Sequence, residues 1–456
     1  MTEMHAGPAA EKTASVNNEP VADTEIESIL ARFLEYHPKS IDLSLERVRR
    51  LMNDLGNPQN KVPPVIHVAG TNGKGSTIAF LRSILEAHGY TCHIFTSPHL
   101  IRFNERIRLA GKLISNTFLK VCLIEAETGN DGREITFFEL TYAAAFIAFS
   151  KVPADFLLLE TGMGGRLDAT NIVENPLLTV ITRISMDHAE FLGDTLEKIA
   201  FEKAGIMKPA VPCVIAPQTT QNGANMAVMD VFTKHAEKLK VPLHRVESEN
   251  SVCPELNLTG PHQRENAATA LQVMEILNEN YPDRFHFEEK KSLKGLEQAY
   301  WPARLQRLQS MERKLQAPKE TEIWLDGGHN DSAGEALAKQ AKIWNLQDQK
   351  TLHLVVGMIN TKNPETFLKS LLPMAQSLSL IPVPEEKSSH DPKDLRKQLK
   401  PLLSNLPEIR CRVFGDAEDA VASLFKEDQN RTCRVLITGS LYLSGHIMKT
   451  LKDEVV

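Results

Sequence analysis

Short apolar runs rich in β-branched residues recur along the chain, each followed by polar sequence and then by apolar positions at helical spacing. The first covers residues 65–69. After a loop with three glycines, Ile78, Leu81, Ile84, Leu85 and Ala87 recur with a helical period until Gly89 stops it, which predicts strand, glycine loop and then a helix over residues 77–88. Further strand-like runs lie at 91–96, 156–160, 177–182 and 211–216. Continuous apolar strands separated by helical or loop-like sequence indicate a parallel sheet covered on both faces. Such a sheet holds its ligands beyond the C-terminal ends of its strands, so the polar residues just after these runs are where chemistry is expected.

The alternation restarts near Glu322. Strand-like runs at 323–325, 351–356, 378–383, 409–414 and 434–438 alternate with helical patterns at 332–344, 364–376, 392–403 and 417–425. This predicts a second, smaller, Rossmann-like α/β domain. Residues 301–319 are charged, amphipathic and bounded by prolines, which puts the boundary near residue 303. The expected organisation is a disordered tail over residues 1–24, a first α/β domain over 25–302 and a C-terminal domain over 303–456.

The 456 residues fit two or three domains at roughly 100–200 residues each. With 42% hydrophobic and 24% charged residues, each domain has enough apolar sequence for a core. Against 52 basic residues stand 58 acidic ones, a net charge of −6, so there is no cationic excess to neutralise a nucleic-acid backbone. No apolar run is long enough to span a bilayer. Glu3, Glu11, Glu19 and Asp23 are wrong for a basic transit peptide, and the same stretch lacks a secretory apolar core, so a cytoplasmic protein is expected. Six cysteines without a C-x-x-C pair read as buried thiols rather than a disulfide framework or zinc site.

Gly70, Thr71, Asn72, Gly73, Lys74, Gly75 and Ser76 fall between the first strand and its helix. Backbone N–H groups and a helix N-terminus there suit an anionic phosphate, Lys74 can neutralise it, and the Ser76 hydroxyl can reach Mg²⁺. Gly75 separates Lys74 from Ser76, so the strict G-x-x-x-x-G-K-[ST] pattern is not met, and the glycine spacing is also wrong for a G-x-G-x-x-G dinucleotide loop. Glu160 ends a buried strand and precedes a run containing Gly162, Gly164 and Gly165. A carboxylate there is placed to hold a hard cation, and reads equally as a solvated strand end. Asp187 and His188 follow the next strand; alone, His188 reads as a structural histidine.

The segments GTNGKGS at 70–76, SPHL at 97–100, FNERI at 103–107, GGRLDATN at 164–171, DH at 187–188 and EKAGI at 202–206 resemble the folylpolyglutamate synthase and dihydrofolate synthase family. So do HQRENAATA at 262–270, LDGGHN at 325–330 and GSLYL at 439–443. The resemblance runs in order over most of the chain and places it among the Mur-ligase superfamily of ATP-dependent amide ligases. It implies an N-terminal Mur-ligase-like P-loop domain with a mostly parallel sheet. It also implies an enzyme, read as bifunctional, that joins L-glutamate to dihydropteroate and to the glutamate tail of reduced folates, with a single-activity folylpolyglutamate synthase or another Mur-type amide ligase as the alternatives.

By the same resemblance, Gly70, Asn72, Gly73, Lys74, Gly75, Ser76, Asn266, Arg304 and Asp326 bind ATP. Ser76, Ser97 and Glu160 hold one Mg²⁺. Glu160, His188 and Lys203 hold a second, with Lys203 as its CO₂-derived carbamate, since an ammonium cannot ligate a cation and a carbamate can. The alternative for Lys203 is a surface lysine paired with Glu202. Lys74, Lys203 and His329 are the expected catalytic residues. The pterin or folate is assigned to Ser97, Pro98, His99, Arg102, Asn104, Phe138 and Asp168, although Phe137 and Phe138 read as core residues on their own. Ala303 stands where the family usually has glycine in the linker, and Thr361, Lys362 and Asn363 replace an acidic-lysine-acidic triplet. Small-molecule substrates are the only partners implied, with no nucleic acid, no membrane and a monomeric state.

Overall fold

A computed structural model describes residues 21–37, 39, 42–220, 223–247, 255–427 and 432–452. Residues 1–20 of the expected tail lie outside the described residues; Asp23 and Thr24, expected in that tail, instead open a helix, Asp23–Phe33, that buries Ile26, Ile29 and Phe33.

The first sheet contains β1 (Val65–Ala69), β2 (Cys92–Phe95), β3 (Ile107–Leu109), β4 (Lys112–Leu113), β5 (Phe156–Glu160), β6 (Leu178–Ile181) and β7 (Cys213–Ile215). A separate two-stranded ribbon, β8 (Thr219–Thr220) and β9 (Gly223–Ala224), precedes the last strand of the sheet, β10 (Leu243–Arg245). The order is β10-β7-β6-β1-β5-β2-β3-β4. Pairing is parallel from β10 through to β2, and β3 and β4 are antiparallel additions. Both faces are covered, which is why β5 reads as an unbroken apolar run. Leu157 and Leu159 enter one core beneath helices Asn116–Asn130 and Phe137–Lys151, while Phe156 and Leu158 enter another beneath Lys74–Ala87 and Pro261–Asn280. Each such side chain stabilises the fold by about 1.5–3 kcal/mol relative to an exposed one.

The second sheet has the order β11-β12-β16-β13-β14-β15. It comprises β11 (Gln306–Arg307), β12 (Glu322–Leu325), β13 (Thr351–Val356), β14 (Ser377–Leu380), β15 (Arg410–Val413) and β16 (Cys433–Thr438). All neighbours are parallel except β11, a two-residue edge strand antiparallel to β12. A strand that short shows no alternation and so leaves no periodic signal. The helix expected over 364–376 is only Pro364–Leu368 plus a 3₁₀ turn, Leu372–Met374. Pro373 removes a helical N–H and clashes with the preceding turn. Pro401 likewise splits the 392–403 pattern into Pro392–Gln398 and Lys400–Ser404.

Among the described residues, no helix is long and apolar enough to cross a membrane. Five cysteines are free thiols; Cys253 lies outside the described residues. The two sheets meet through tight packing: a Cβ on Gly445, in helix Leu441–Leu451, would lie 2.0 Å from the Leu100 carbonyl oxygen.

Candidate active site

β1 delivers the chain into the glycine loop, with β5 and β6 on either side: Val68 lies opposite both Glu160 and Val180. The loop is held by backbone. Thr71 and Asn72 donate their N–H groups to the Arg183 carbonyl at 3.0 and 3.2 Å. Gly70 has φ +150°, and a Cβ there would lie 1.8 Å from Thr182 Oγ1; at Gly73, φ +92°, it would lie 2.5 Å from Asn266 Oδ1. Only glycine suits these positions. Helix Lys74–Ala87 begins at once, so its first N–H groups and dipole face the cleft and suit a phosphate. Lys74 Nζ donates to the Gly70 carbonyl at 3.1 Å and stands 3.9 Å from Glu160 Oε1.

Glu160 is buried at the tip of β5 and accepts the Ser97 N–H at 3.1 Å. Burial raises its pKa, against the pull of Lys74, the Ser97 N–H, Arg304 and Arg106. Beyond β6, burial would raise the Asp187 pKa, but the nearby His329, His188 and Lys362 hold it well below the usual range. Its Oδ1 accepts Lys362 Nζ at 2.5 Å and its Oδ2 is 3.9 Å from His329 Nε2. Burial, reinforced by Lys362, Lys74 and Lys203, outweighs Asp187 and lowers His188 to about 4, so the imidazole is neutral at pH 7.

Lys203 is buried and donates to the Gly70 carbonyl at 2.9 Å. It is therefore no surface partner of Glu202, which pairs with Arg166 at 2.9 Å instead. Burial, and then Lys74, lower its pKa to about 7, leaving a large neutral-amine fraction at physiological pH.

The second sheet closes the cleft from the other side. Asp326, just past β12, is buried and accepts the N–H groups of Leu305 at 3.0 Å and Gly328 at 2.7 Å. Burial raises its pKa while Arg304 opposes. Asn330 caps helix Asp331–Asp348 through the Ala333 N–H at 3.0 Å. It also exchanges amide hydrogen bonds with Asn72, both 3.1 Å, joining the phosphate loop to the second sheet.

One cleft is lined by Asn72, Gly73, Lys74, Gly75, Ser76, Ser97, Pro98, Glu160, His188, Asn266, Arg304, Asp326 and His329. Gly70 and Lys203 lie behind this wall, bonded to one another. His99 lines a smaller adjoining cavity. It accepts Arg106 Nε at 2.9 Å, and burial, then the Arg106 charge, lower its pKa to about 3.

The remaining four residues assigned to the pterin line neither cavity. Arg102 is exposed, and its N–H donates to Glu105 at 2.7 Å. The Asn104 amide is bonded to the Ile114 carbonyl at 2.8 Å and Asn116 Oδ1 at 2.9 Å. Phe138 packs edge-on to Phe95 with centroids 6.1 Å apart. Asp168 accepts the Met163 and Thr170 N–H groups at 2.8 and 3.0 Å and the Thr170 hydroxyl at 2.6 Å.

The cleft also takes in Arg183, His262, Gln263 and Asn330, which are not among the site residues expected from sequence. His262, Gln263 and Asn330 lie inside motifs that were visible; Arg183 had no such signal. Lys362, recognisable as the remaining member of an altered triplet, proves to reach across to Asp187.

Family models match both parts: the Mur ligase middle domain over residues 68–274 and the dihydrofolate synthetase C-terminal domain over residues 309–450. A dihydrofolate synthase/folylpolyglutamate synthase of Bacillus subtilis is 34% identical over 90% of this chain and 95% of its own length. The chain belongs to the dihydrofolate synthase/folylpolyglutamate synthase family. A Haemophilus influenzae relative of the same description is 32% identical over 91% of this chain and 96% of its own. The fold agrees with that of Escherichia coli FolC in complex with DHPP and ADP: TM-score 0.79 and 28% identity, over 94% of this chain and 97% of that one. It also agrees with the Yersinia pestis bifunctional enzyme complexed with AMPPNP and Mn ion: TM-score 0.78 and 27% identity, over 96% of this chain and 100% of that one. The protein is thus an α/β ligase of the Mur superfamily type, with a P-loop domain and a smaller C-terminal domain.

Proposed function

We propose that the protein ligates L-glutamate to dihydropteroate and to the glutamate tail of reduced folates, using ATP. The observation that supports this best is the single cleft in which the phosphate loop and Glu160 of one sheet face Asp326 and His329 of the other. A carboxylate is a poor electrophile at neutral pH. Its oxygen would attack the γ-phosphorus of ATP, releasing ADP and leaving an acyl phosphate. The glutamate amine would then attack the acyl carbon, phosphate would leave, and the amine proton would pass to solvent. Lys74 and the helix N-terminus would neutralise the phosphates, with Gly70, Asn72, Gly73, Gly75 and Ser76 around them. Asn266, Arg304 and Asp326 would hold the nucleotide, and His329 would reach the γ-phosphate or the incoming amino acid. Closure of the second sheet over the loop, already bridged by Asn72 and Asn330, would keep water from the acyl phosphate.

The described residues contain no group of three or more His, Cys, Asp or Glu suited to a metal ion. A cation here must therefore draw on few carboxylates, on hydroxyls and on phosphate oxygens, which suits Mg²⁺. Glu160 with Ser76 and Ser97, and Glu160 with His188 and a Lys203 carbamate, are the two donor sets we assign. Mg²⁺ would supply charge stabilisation at the transferring phosphoryl group. A buried lysine titrating near 7 is the amine that CO₂ can trap, which supports the carbamate. We further assign the chain to the cytoplasm as a monomer.

Labelled glutamate incorporation by purified protein with ATP and Mg²⁺ tests the reading, with dihydropteroate and tetrahydrofolate run in parallel. Product with both acceptors is expected. Product with dihydropteroate alone would instead favour a dihydrofolate synthetase, a reading that the C-terminal family model and a 29% identical Saccharomyces cerevisiae dihydrofolate synthetase also support. No product with either, from protein that binds ATP, would overturn the assignment.

A further inference from the structure

The glycine loop and the N-terminus of helix Lys74–Ala87 suit the phosphates of a nucleotide. Its base is flat and uncharged, and needs apolar surface to lie against and polar atoms along its edge. Both occur together where helices Pro261–Asn280 and Asp331–Asp348 approach one another in the main cleft. From the second helix Ala333, Ala336 and Leu337 line the cleft, at a spacing that puts them on one face. From the first come His262, Gln263 and Asn266.

Gln263 is only 1% exposed, and its amide is half used. Its Oε1 accepts Asn266 Nδ2 at 3.0 Å, whereas its Nε2 is buried with no hydrogen-bond partner among the described residues. Asn266 Oδ1 takes part in no hydrogen bond there either. It would lie 2.5 Å from a Cβ on Gly73, which puts it against the glycine loop. Two amides bonded to one another leave one NH₂ group and one C=O group to be matched, whichever way each is turned. A buried amide N–H is costly to leave unpaired, so this pair is built for a ligand that brings an acceptor and a donor side by side. Burial, then Arg304, Arg183 and Lys339, lower the His262 pKa to about 4, so that ring adds no charge to the wall at neutral pH.

Adenine has such an edge on either side of its amino group: an exocyclic N–H donor next to a ring nitrogen that accepts. Hypoxanthine has the same size and differs in carrying a carbonyl oxygen at that position and a proton on N1. One of its edges then offers two acceptors, and the other exchanges donor for acceptor. Neither matches the amide pair.

We infer that Gln263 is a specificity-determining residue: with Asn266 it reads the edge of the adenine and sets a preference for ATP over a 6-oxopurine nucleotide. This rests on the ATP-binding part of the reading above and is independent of the acceptor.

The test is equilibrium binding of ATP and of ITP, with Mg²⁺ and without acceptor, to wild type and to Gln263→Met. Wild type should bind ATP about tenfold or more tighter than ITP. Gln263→Met keeps the length of the side chain and removes the amide. It should lose about tenfold for ATP and less than about threefold for ITP, so that the preference shrinks. Equal affinity of wild type for the two nucleotides, or an equal loss of both in the variant, would overturn the inference. If Gln263→Met melts early, wild type decides with purine riboside triphosphate, which carries neither amino nor carbonyl group beside N1. That nucleotide lacks the donor without bringing a wrong acceptor, so its affinity should fall between those of ATP and ITP. ITP binding as tightly as purine riboside triphosphate would overturn the base reading. A base preference without glutamate incorporation would remove the folate reading and leave this inference standing, whereas wild type that binds no nucleotide would remove both.

Discussion

On the side of the cleft that carries the glycine loop, Gly70 and Gly73 sit where any side chain would strike Thr182 or Asn266, and Gly73 brings bare backbone to the cleft surface. On the side to which the acceptor is proposed to bind, Asn104 and Asp168 spend their polar atoms on neighbouring backbone and side chains, which fixes the loops they belong to. The first wall is a surface made by conformation. The second is a surface shaped by buried side chains that do not themselves face the cavity. The motifs therefore supply different things on the two sides: a backbone conformation on one and a brace on the other.

The contrast is broken most severely by Gly70→Ala. The φ of +150° and the 1.8 Å approach to Thr182 Oγ1 leave the added methyl no room, and backbone strain with overpacking should cost about 3 kcal/mol or more. Loss of ATP binding together with a large drop in melting temperature is expected. Thr182→Gly in the same chain should recover part of the stability by clearing the clash. Normal melting of Gly70→Ala would show that the loop is not held by conformation.

A smaller effect, of a few kcal/mol at most, should come from Lys203, and it carries a pH signature. The folded-state pKa near 7 lies below the unfolded value of 10.5. Between those values the unfolded lysine binds a proton that the folded one does not, so stability rises with pH across that window. Below pH 7 both forms are protonated and the burial penalty is constant. In CO₂-depleted buffer, the stability of wild type relative to Lys203→Met should therefore climb from pH 7 towards 10.5. A flat difference in chemical denaturation would mean that the amine reaches water.

These effects also mark what could be read in advance. The parallel sheet, the glycine loop and the strand-end residues Glu160, Asp187 and Asp326 follow from local pattern, because a buried strand must be apolar and must end where polar residues begin. The wall that carries the glycine loop was legible for the same reason. Lys203 was named through a family motif, but its burial depends on the Gly70 carbonyl more than a hundred residues away in sequence. The resemblance implies Asn104 and Asp168 for the acceptor, and the structure adds that their side chains bond to the chain itself, which a motif cannot show because it does not say which way a side chain turns.

Asp168→Asn sharpens that last point with the smallest effect. Asp168 Oδ1 accepts from the Thr170 N–H and hydroxyl, and Oδ2 from the Met163 N–H. An amide keeps one acceptor oxygen and turns an NH₂ group towards a donor. That leaves a buried donor facing a donor, at a cost of about 1–3 kcal/mol. As a brace, the variant should melt earlier and keep its KM for ATP, with the KM for dihydropteroate following the loss of folded protein rather than exceeding it. Unchanged stability with a raised KM for dihydropteroate would make the carboxylate a direct contact, and the two walls would then be built alike.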